Sequence, residues 1–314
     1  MRALLFLKIV GALSVMPLIG CSSNEDSPAT ISPAVSPVSA ESPSAVASPA
    51  NSPVNSRLEQ VRFRSEALDA DKTMSVYLPP SYSSDTRYPV LYLFYGYGGT
   101  HDAYFTYLKL HEVADRLIQE GRIDPLIIVS PDYGNSFAVN TKEGEGQNPG
   151  GVSTGPYEDY LIQDLIPYVD SHYGTQANKE GRYVGGISMG GFASLHLGFK
   201  HPDMFSRIGA HSAALWTYAS ADQFTGQRDW LYPNETLREQ RDPFKLADAD
   251  KLAGVEIYLD AGEQDMLMEQ DESLYELLRD MDADVQWVHG PGGHDASYWS
   301  GQLEAYLLFY AGKK

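Results

Sequence analysis

Cysteine occurs once in 314 residues, at Cys21, so neither an intrachain disulfide framework nor a cysteine-based zinc or iron–sulfur site supports this chain. Positive charge is scarce as well. The 23 Lys and Arg residues face 42 Asp and Glu, and a formal net charge of −19 argues against a surface built for DNA or another polyanion. Long apolar runs are also lacking: the stretch from Ile9 to Ile19 would span only about 16 Å as a helix, roughly half a bilayer core. What is present is ordinary globular material, 43% hydrophobic and 21% charged, enough for a large core and too apolar for global disorder.

The short apolar run follows Arg2 and Lys8 and ends in Gly20-Cys21, the layout of a secretory signal. Leu18-Ile19-Gly20-Cys21 resembles the bacterial lipobox, whose cysteine is lipidated on its thiol and becomes the first residue of the mature chain. The expectation is therefore a signal peptide over residues 1–20, lipidation at Cys21, and anchoring to a membrane of the bacterial envelope, outside the cytoplasm. Ser22 to Ser56 holds 11 Ser, 6 Pro and 6 Ala, with every proline in a Ser-Pro pair. Lacking large apolar side chains to offset ordering entropy, residues 21–56 read as a lipidated cysteine and a disordered tether. As a flexible chain the tether would span on the order of 30–35 Å.

From residue 57 to 314 the pattern is that of one α/β domain, β-rich runs alternating with amphipathic helices, which predicts a mostly parallel sheet covered on both faces. The expected strands are Glu59 to Glu66, Lys72 to Leu78, Tyr88 to Tyr95, Leu126 to Ser130, Arg182 to Ile187, Ile208 to His211, Val255 to Asp260 and Asp284 to His289. Helical spacing appears over Leu108 to Glu120, Tyr157 to His172, Met189 to Lys200, Glu269 to Met281 and Tyr298 to Tyr310. Gly134 to Pro156 and Ser212 to Pro243 read as long irregular stretches, a length that in compact domains usually serves function.

Gly186-Ile-Ser188-Met-Gly190 is a G-x-S-x-G placed between an expected strand and an expected helix. The glycines clear space for a strained turn that lifts the Ser188 hydroxyl above the sheet as a nucleophile. The Met189 N–H, at the start of that helix, then points where an oxyanion would form. A serine nucleophile needs a base and an orienting acid, in the order Ser, Asp or Glu, His. Asp260-Ala-Gly-Glu263-Gln-Asp265 follows the seventh strand and Gly292-Gly293-His294 follows the eighth, both at strand carboxyl ends where open α/β sheets place their sites. His294 is the expected base. Asp265 is favoured as the acid, with Asp260, which ends the strand itself, more suited to bracing the turn and Glu263 third. The glycine-rich loop after the third strand, Gly96-Tyr97-Gly98-Gly99, offers the Tyr97 N–H as second oxyanion donor.

Tyr77-Leu-Pro-Pro-Ser-Tyr82, Tyr88-Pro-Val-Leu-Tyr92, Leu165-Ile-Pro-Tyr-Val169, Gly185-Gly-Ile-Ser-Met-Gly-Gly191, Asp260-Ala-Gly-Glu-Gln-Asp265 and Gly292-Gly-His-Asp295 with Trp299 resemble, in order, blocks of the esterase D-like family of α/β-hydrolases. The arrangement is most similar to the feruloyl and acetyl-xylan esterase branch. The resemblance implies an α/β-hydrolase fold with about eight strands, Ser188, Asp265 and His294 as a triad, hydrolysis of carboxylic esters, and no metal or organic cofactor. Many relatives carry His-Gly where this chain has Tyr95-Gly96.

Tyr133 lies just before the first long stretch, and Trp216, Tyr218, Trp230 and Tyr232 lie in the second. Tyr133, Trp216 and Trp230 are the expected stacking surface for a sugar or phenolic acyl group, although loop aromatics also form small cores of their own. The expected partners are a small-molecule or polysaccharide ester and, through Cys21, a membrane, with no nucleic acid. Two other classes share the sequence features: an acyltransferase of the mycolyltransferase kind, and a noncatalytic binding lipoprotein.

Overall fold

The computed structural model describes residues 55–216 and 226–313. The signal, Cys21 and residues 22–54 of the tether lie outside the described residues, as does Tyr218.

All eight expected strands form: β1 (Arg57–Ser65), β2 (Ala70–Leu78), β3 (Val90–Phe94), β4 (Ile127–Pro131), β5 (Arg182–Ile187), β6 (Arg207–His211), β7 (Glu256–Gly262) and β8 (Val285–Gly290). They make one sheet in the order β1-β2-β4-β3-β5-β6-β7-β8. The β1–β2 and β2–β4 pairs are antiparallel and the remaining pairs parallel, the eight-stranded arrangement of the α/β-hydrolase fold. β3, β4 and β5 are buried along their whole length, as befits parallel strands covered on both faces. β1, at the edge, alternates more exposed and more buried positions and turns Phe63 and Ser65 inward.

Strand order reverses at β3, which has β4 on one side and β5 on the other, and the crevice at such a switch point is where these sheets bind ligands. The helix Met189–Lys200 leaves the carboxyl end of β5 there. It is apolar all round and buries every residue but Lys200, so it runs through the core rather than over it. The helix Met268–Asp280 instead buries one stripe, Gln270, Asp271, Leu274 and Leu278. Ala296–Ala311 begins at Asp295, whose side chain accepts from the Ser297 and Tyr298 amides and fixes the turn that carries His294.

Two expectations are corrected. Tyr157 to His172 is not one regular helix: Tyr157–Asp159 and Ile166–His172 are α-helical, but Tyr160–Leu165 between them is a π-helix. The wide turns immediately precede Pro167, which has no N–H to give to the turn before it. Ser212 to Pro243 is not wholly irregular either. It contains the helices Gln227–Leu231 and Glu235–Arg241, the second capped by the Asn234 side chain, which accepts from the Leu237 N–H.

Candidate active site

Ser188 sits between β5 and its helix with φ 59° and ψ −117°, a conformation that strains any residue with a Cβ. The turn is held from three sides. The Ser188 N–H donates to the His211 carbonyl at 2.9 Å, and the Ser188 carbonyl accepts from Ala214 N–H at 2.9 Å and Phe192 N–H at 3.1 Å. Its glycines are demanded by contact: a Cβ on Gly190 would collide with the Phe94 carbonyl, and one on Gly186 with the Gly190 carbonyl.

The turn after β8 brings His294 over this elbow. Its Nε2 lies 2.9 Å from Ser188 Oγ, and its Nδ1 lies 2.9 and 3.1 Å from the two carboxylate oxygens of Asp265. Asp265 comes from the loop after β7, and its Oδ1 also accepts from Leu267 N–H at 2.8 Å. Burial alone would raise the Asp265 pKa, but the hydrogen bonds from His294 and Leu267 outweigh it and hold the carboxyl below its usual range. An ionised Asp265 fixes Nδ1 as a donor, which leaves Nε2 free to take the Ser188 proton. Asp260 has no part in this line. Its oxygens are taken by His211 Nδ1 at 2.6 Å and by the hydroxyls of Tyr298 and Tyr306 at 3.0 and 2.9 Å, inside the core. Glu263 pairs with His289 at 3.4 Å instead.

Beside Ser188 the loop after β3 approaches so closely that a Cβ on Gly96 would lie 3.4 Å from Ser188 Cβ. Gly98 N–H is spent on Asn135 Oδ1 at 2.8 Å and Gly99 N–H on the Gly96 carbonyl at 2.9 Å, whereas Tyr97 N–H has no acceptor among the described residues. Met189, the first helical residue, likewise keeps its N–H outside the helix's own ladder. Both amides border a cleft of about 510 Å³ that also takes in Phe137, Ser188, His294 and Trp299.

The family model described as "Putative esterase" matches residues 65–310. The chain belongs to this family. Among curated relatives, an endo-1,4-beta-xylanase/feruloyl esterase of Xylanibacter ruminicola is 32% identical over 52% of this chain and 22% of its own length. An acetyl esterase of Caldicellulosiruptor saccharolyticus is 23% identical over 77% of this chain and 93% of its own. A solved ferulic acid esterase superposes with a TM-score of 0.68 at 26% identity, covering 82% of this chain and 98% of that one. The chain spans only about a fifth to a third of the first curated relatives it matches, at 22% and 32% of their lengths.

Tyr95, immediately before Gly96, puts its phenol to use. Its hydroxyl donates to Asp132 Oδ1 at 3.2 Å and accepts from Tyr133 N–H at 3.1 Å. Burial, with the Asp132 carboxylate beside it, pushes the Tyr95 pKa above that of an ordinary phenol, so the hydroxyl stays a donor. The expectation that Tyr133, Trp216 and Trp230 stack on substrate is corrected. They are 0%, 2% and 4% exposed. The rings of Trp216 and Trp230 pack against Phe137 at 5.8 and 6.1 Å and make the core of the long loops themselves. Tyr133 lies beneath the Gly96–Gly99 loop, hydrogen-bonded to Tyr95. The exposed ring at the cleft is Tyr97, whose hydroxyl donates to the Gly150 carbonyl at 3.3 Å.

Three supporting residues carry no sequence signal. Arg241, buried, donates to the Leu231 carbonyl at 2.9 Å and, at 2.6 Å each, to the Asn140 carbonyl and Glu145, so both long stretches hang on it. Glu158 gathers His196 at 3.1 Å and Lys200 at 2.8 Å from the helix that follows Ser188, and His201 at 3.0 Å from its C-cap. Asp271 accepts from Ala213 N–H at 3.1 Å, next to the Ala214 amide that holds Ser188. Burial and the neighbouring acids push its pKa well up. Only contacts across scores of residues reveal these roles.

Proposed function

We propose that this chain is a serine esterase that hydrolyses carboxylic esters, with carbohydrate-linked or phenolic acyl esters such as acetyl and feruloyl esters as its substrates. The observation that carries this reading is the unbroken hydrogen-bond line from Asp265 through His294 to Ser188 Oγ, ending beside two amides with no acceptor among the described residues. The family membership and the feruloyl and acetyl esterase names of the relatives support it.

In this mechanism His294 Nε2 takes the Ser188 proton as Oγ bonds to the ester carbonyl carbon, and the carbonyl oxygen becomes an oxyanion held by the Tyr97 and Met189 amides. The tetrahedral centre collapses, the alcohol oxygen leaves with the proton from His294, and Ser188 carries the acyl group. Water then gives its proton to His294, attacks the acyl carbon, and releases the acid as Ser188 regains its hydrogen. No step calls for a metal or an organic cofactor.

The test is hydrolysis of p-nitrophenyl acetate, methyl ferulate and acetylated xylan by residues 57–314, with Ser188→Ala as the blank. Ser188-dependent turnover of any member is expected; silence across the panel overturns the reading. We further propose that Cys21 is lipidated and tethers the domain outside the cytoplasm. Fatty-acid labelling of the full chain in a bacterial host should disappear in Cys21→Ala, and labelling that persists there overturns the anchor.

A further inference from the structure

The turn that ends β6 is tied to the nucleophile on two sides. The His211 carbonyl accepts from Ser188 N–H and Ala214 N–H donates to the Ser188 carbonyl, each at 2.9 Å. Between them, Ser212 N–H donates to the Asp260 carbonyl at 2.7 Å and Ala213 N–H to Asp271 at 3.1 Å. Ser212 has φ 49° and is fully buried. That left-handed region suits glycine and strains a side chain, and a hydroxyl buried in such a turn must find its partners nearby.

Two groups meet this hydroxyl. Trp299 Nε1 lies 3.1 Å from Ser212 Oγ, and an indole N–H can only donate, so the oxygen accepts there and its own hydrogen points elsewhere. Asp265 is the group that receives it. Burial raises the Asp265 pKa, and the hydrogen bonds that draw it down come from His294, Leu267 and the Ser212 side chain. Trp299 also stands edge-on to His294, with ring centroids 5.0 Å apart. One hydroxyl therefore links the ring beside the base to the acid that orients the base.

The carboxylate has use for such a hold. Its Oδ1 accepts from Leu267 N–H at 2.8 Å, and His294 Nδ1 sits 2.9 and 3.1 Å from its two oxygens. The torsion that turns a carboxylate about its own axis has broad wells, so a single backbone donor leaves it room to swing away from Nδ1. A second donor, on a turn already fastened to Ser188, removes that freedom and keeps acid and nucleophile in a fixed relation.

We propose that Ser212 is a positioning residue of the triad: its hydroxyl, aimed by the Trp299 indole, holds the Asp265 carboxylate in line with His294. The inference rests on the esterase reading above. Ser212 is no part of the cleft walls, so it acts through Asp265 and not on the ester.

The experiment measures kcat and KM of the full chain on p-nitrophenyl acetate for the parent, Ser212→Ala and Ser212→Gly. Both variants delete the hydroxyl, but glycine also relieves the left-handed backbone, so the two separate a role in turnover from a role in stability. kcat is expected to fall about tenfold or more in each, the scale of one hydrogen bond to a charged group, with KM within about twofold. Parent-like kcat in Ser212→Gly, or a loss that appears in KM alone, overturns the assignment and leaves the esterase reading intact. A parent with no Ser188-dependent turnover overturns both. A double-mutant cycle with Trp299→Phe supplies a second arm: kcat should fall about threefold or more when Ser212 is present and not at all beside Ser212→Gly, whereas equal losses in the two backgrounds overturn the proposal.

Discussion

Tyr95 and Tyr133 clasp each other: the Tyr133 amide donates to the Tyr95 phenol while the Tyr133 phenol donates to the Tyr95 carbonyl. The pair joins the carboxyl ends of β3 and β4 directly beneath the Gly96–Gly99 loop, and its two rings tilt together with centroids 4.6 Å apart. Tyr95→Phe keeps the ring but orphans a buried N–H, which costs about 1–3 kcal/mol. Thermal unfolding of that variant should show a midpoint lowered by several degrees, and kcat should drop with it as Gly96 and Tyr97 loosen. A variant as stable and as active as the parent would mean that the clasp does not position the loop.

Asp265→Asn preserves the shape of the triad while allowing the wrong imidazole tautomer. Turnover of p-nitrophenyl acetate should fall by about 10⁴, with little change in KM. A loss of less than tenfold would place the orienting acid elsewhere.

Gly190→Ala directs a methyl group into the Phe94 carbonyl at the tightest point of the elbow. Overpacking of this kind costs about 1–3 kcal/mol, occasionally more, and the start of the helix and the end of β3 must part to relieve it. Chemical denaturation should report the loss together with diminished activity; unaltered stability would show that the turn has room that its geometry denies.

Glu158 sets the acid side of the stability profile. Burial opposes its charge, but the bonds from His196, His201 and Lys200 prevail and depress its pKa far below the usual 4.5. A carboxyl depressed in the folded state stabilises above its unfolded pKa, and that contribution fades as pH falls below about 4.5 toward the folded value. The thermal midpoint should therefore decline on acidification below about 4.5, and Glu158→Ala should flatten this part of the curve. At neutral pH that variant strands Lys200 and the two imidazoles and should lose about 3 kcal/mol. A variant whose acid profile overlays the parent's would assign the decline to other carboxylates.

Much of this architecture is legible in the sequence because it rests on short-range patterns. β3 announces itself as an unbroken apolar run and β4 as one up to Val129, and the elbow announces itself through glycines spaced two residues either side of Ser188. The order of Ser188, Asp265 and His294 follows from strand succession alone. The facing of the loop aromatics is not legible, because Trp216 and Trp230 look the same in sequence whether they turn outward to a sugar or inward to Phe137. Arg241 is hidden for another reason. Its partners Asn140 and Glu145 lie about a hundred residues away, and an arginine in a polar stretch carries no mark of burial. The π-helical turns escape because six residues of shifted hydrogen bonding leave the apolar spacing of Tyr160, Leu161 and Leu165 looking helical.

Arg241, whose carbonyl lies 3.2 Å from His196 Nδ1 and whose guanidinium donates to the Leu231 and Asn140 carbonyls, rivets both overhanging stretches to the buried helix that begins after Ser188. Two segments about a hundred residues apart in the chain thus share one fastening point, and a strain on either is borne by the same buried helix.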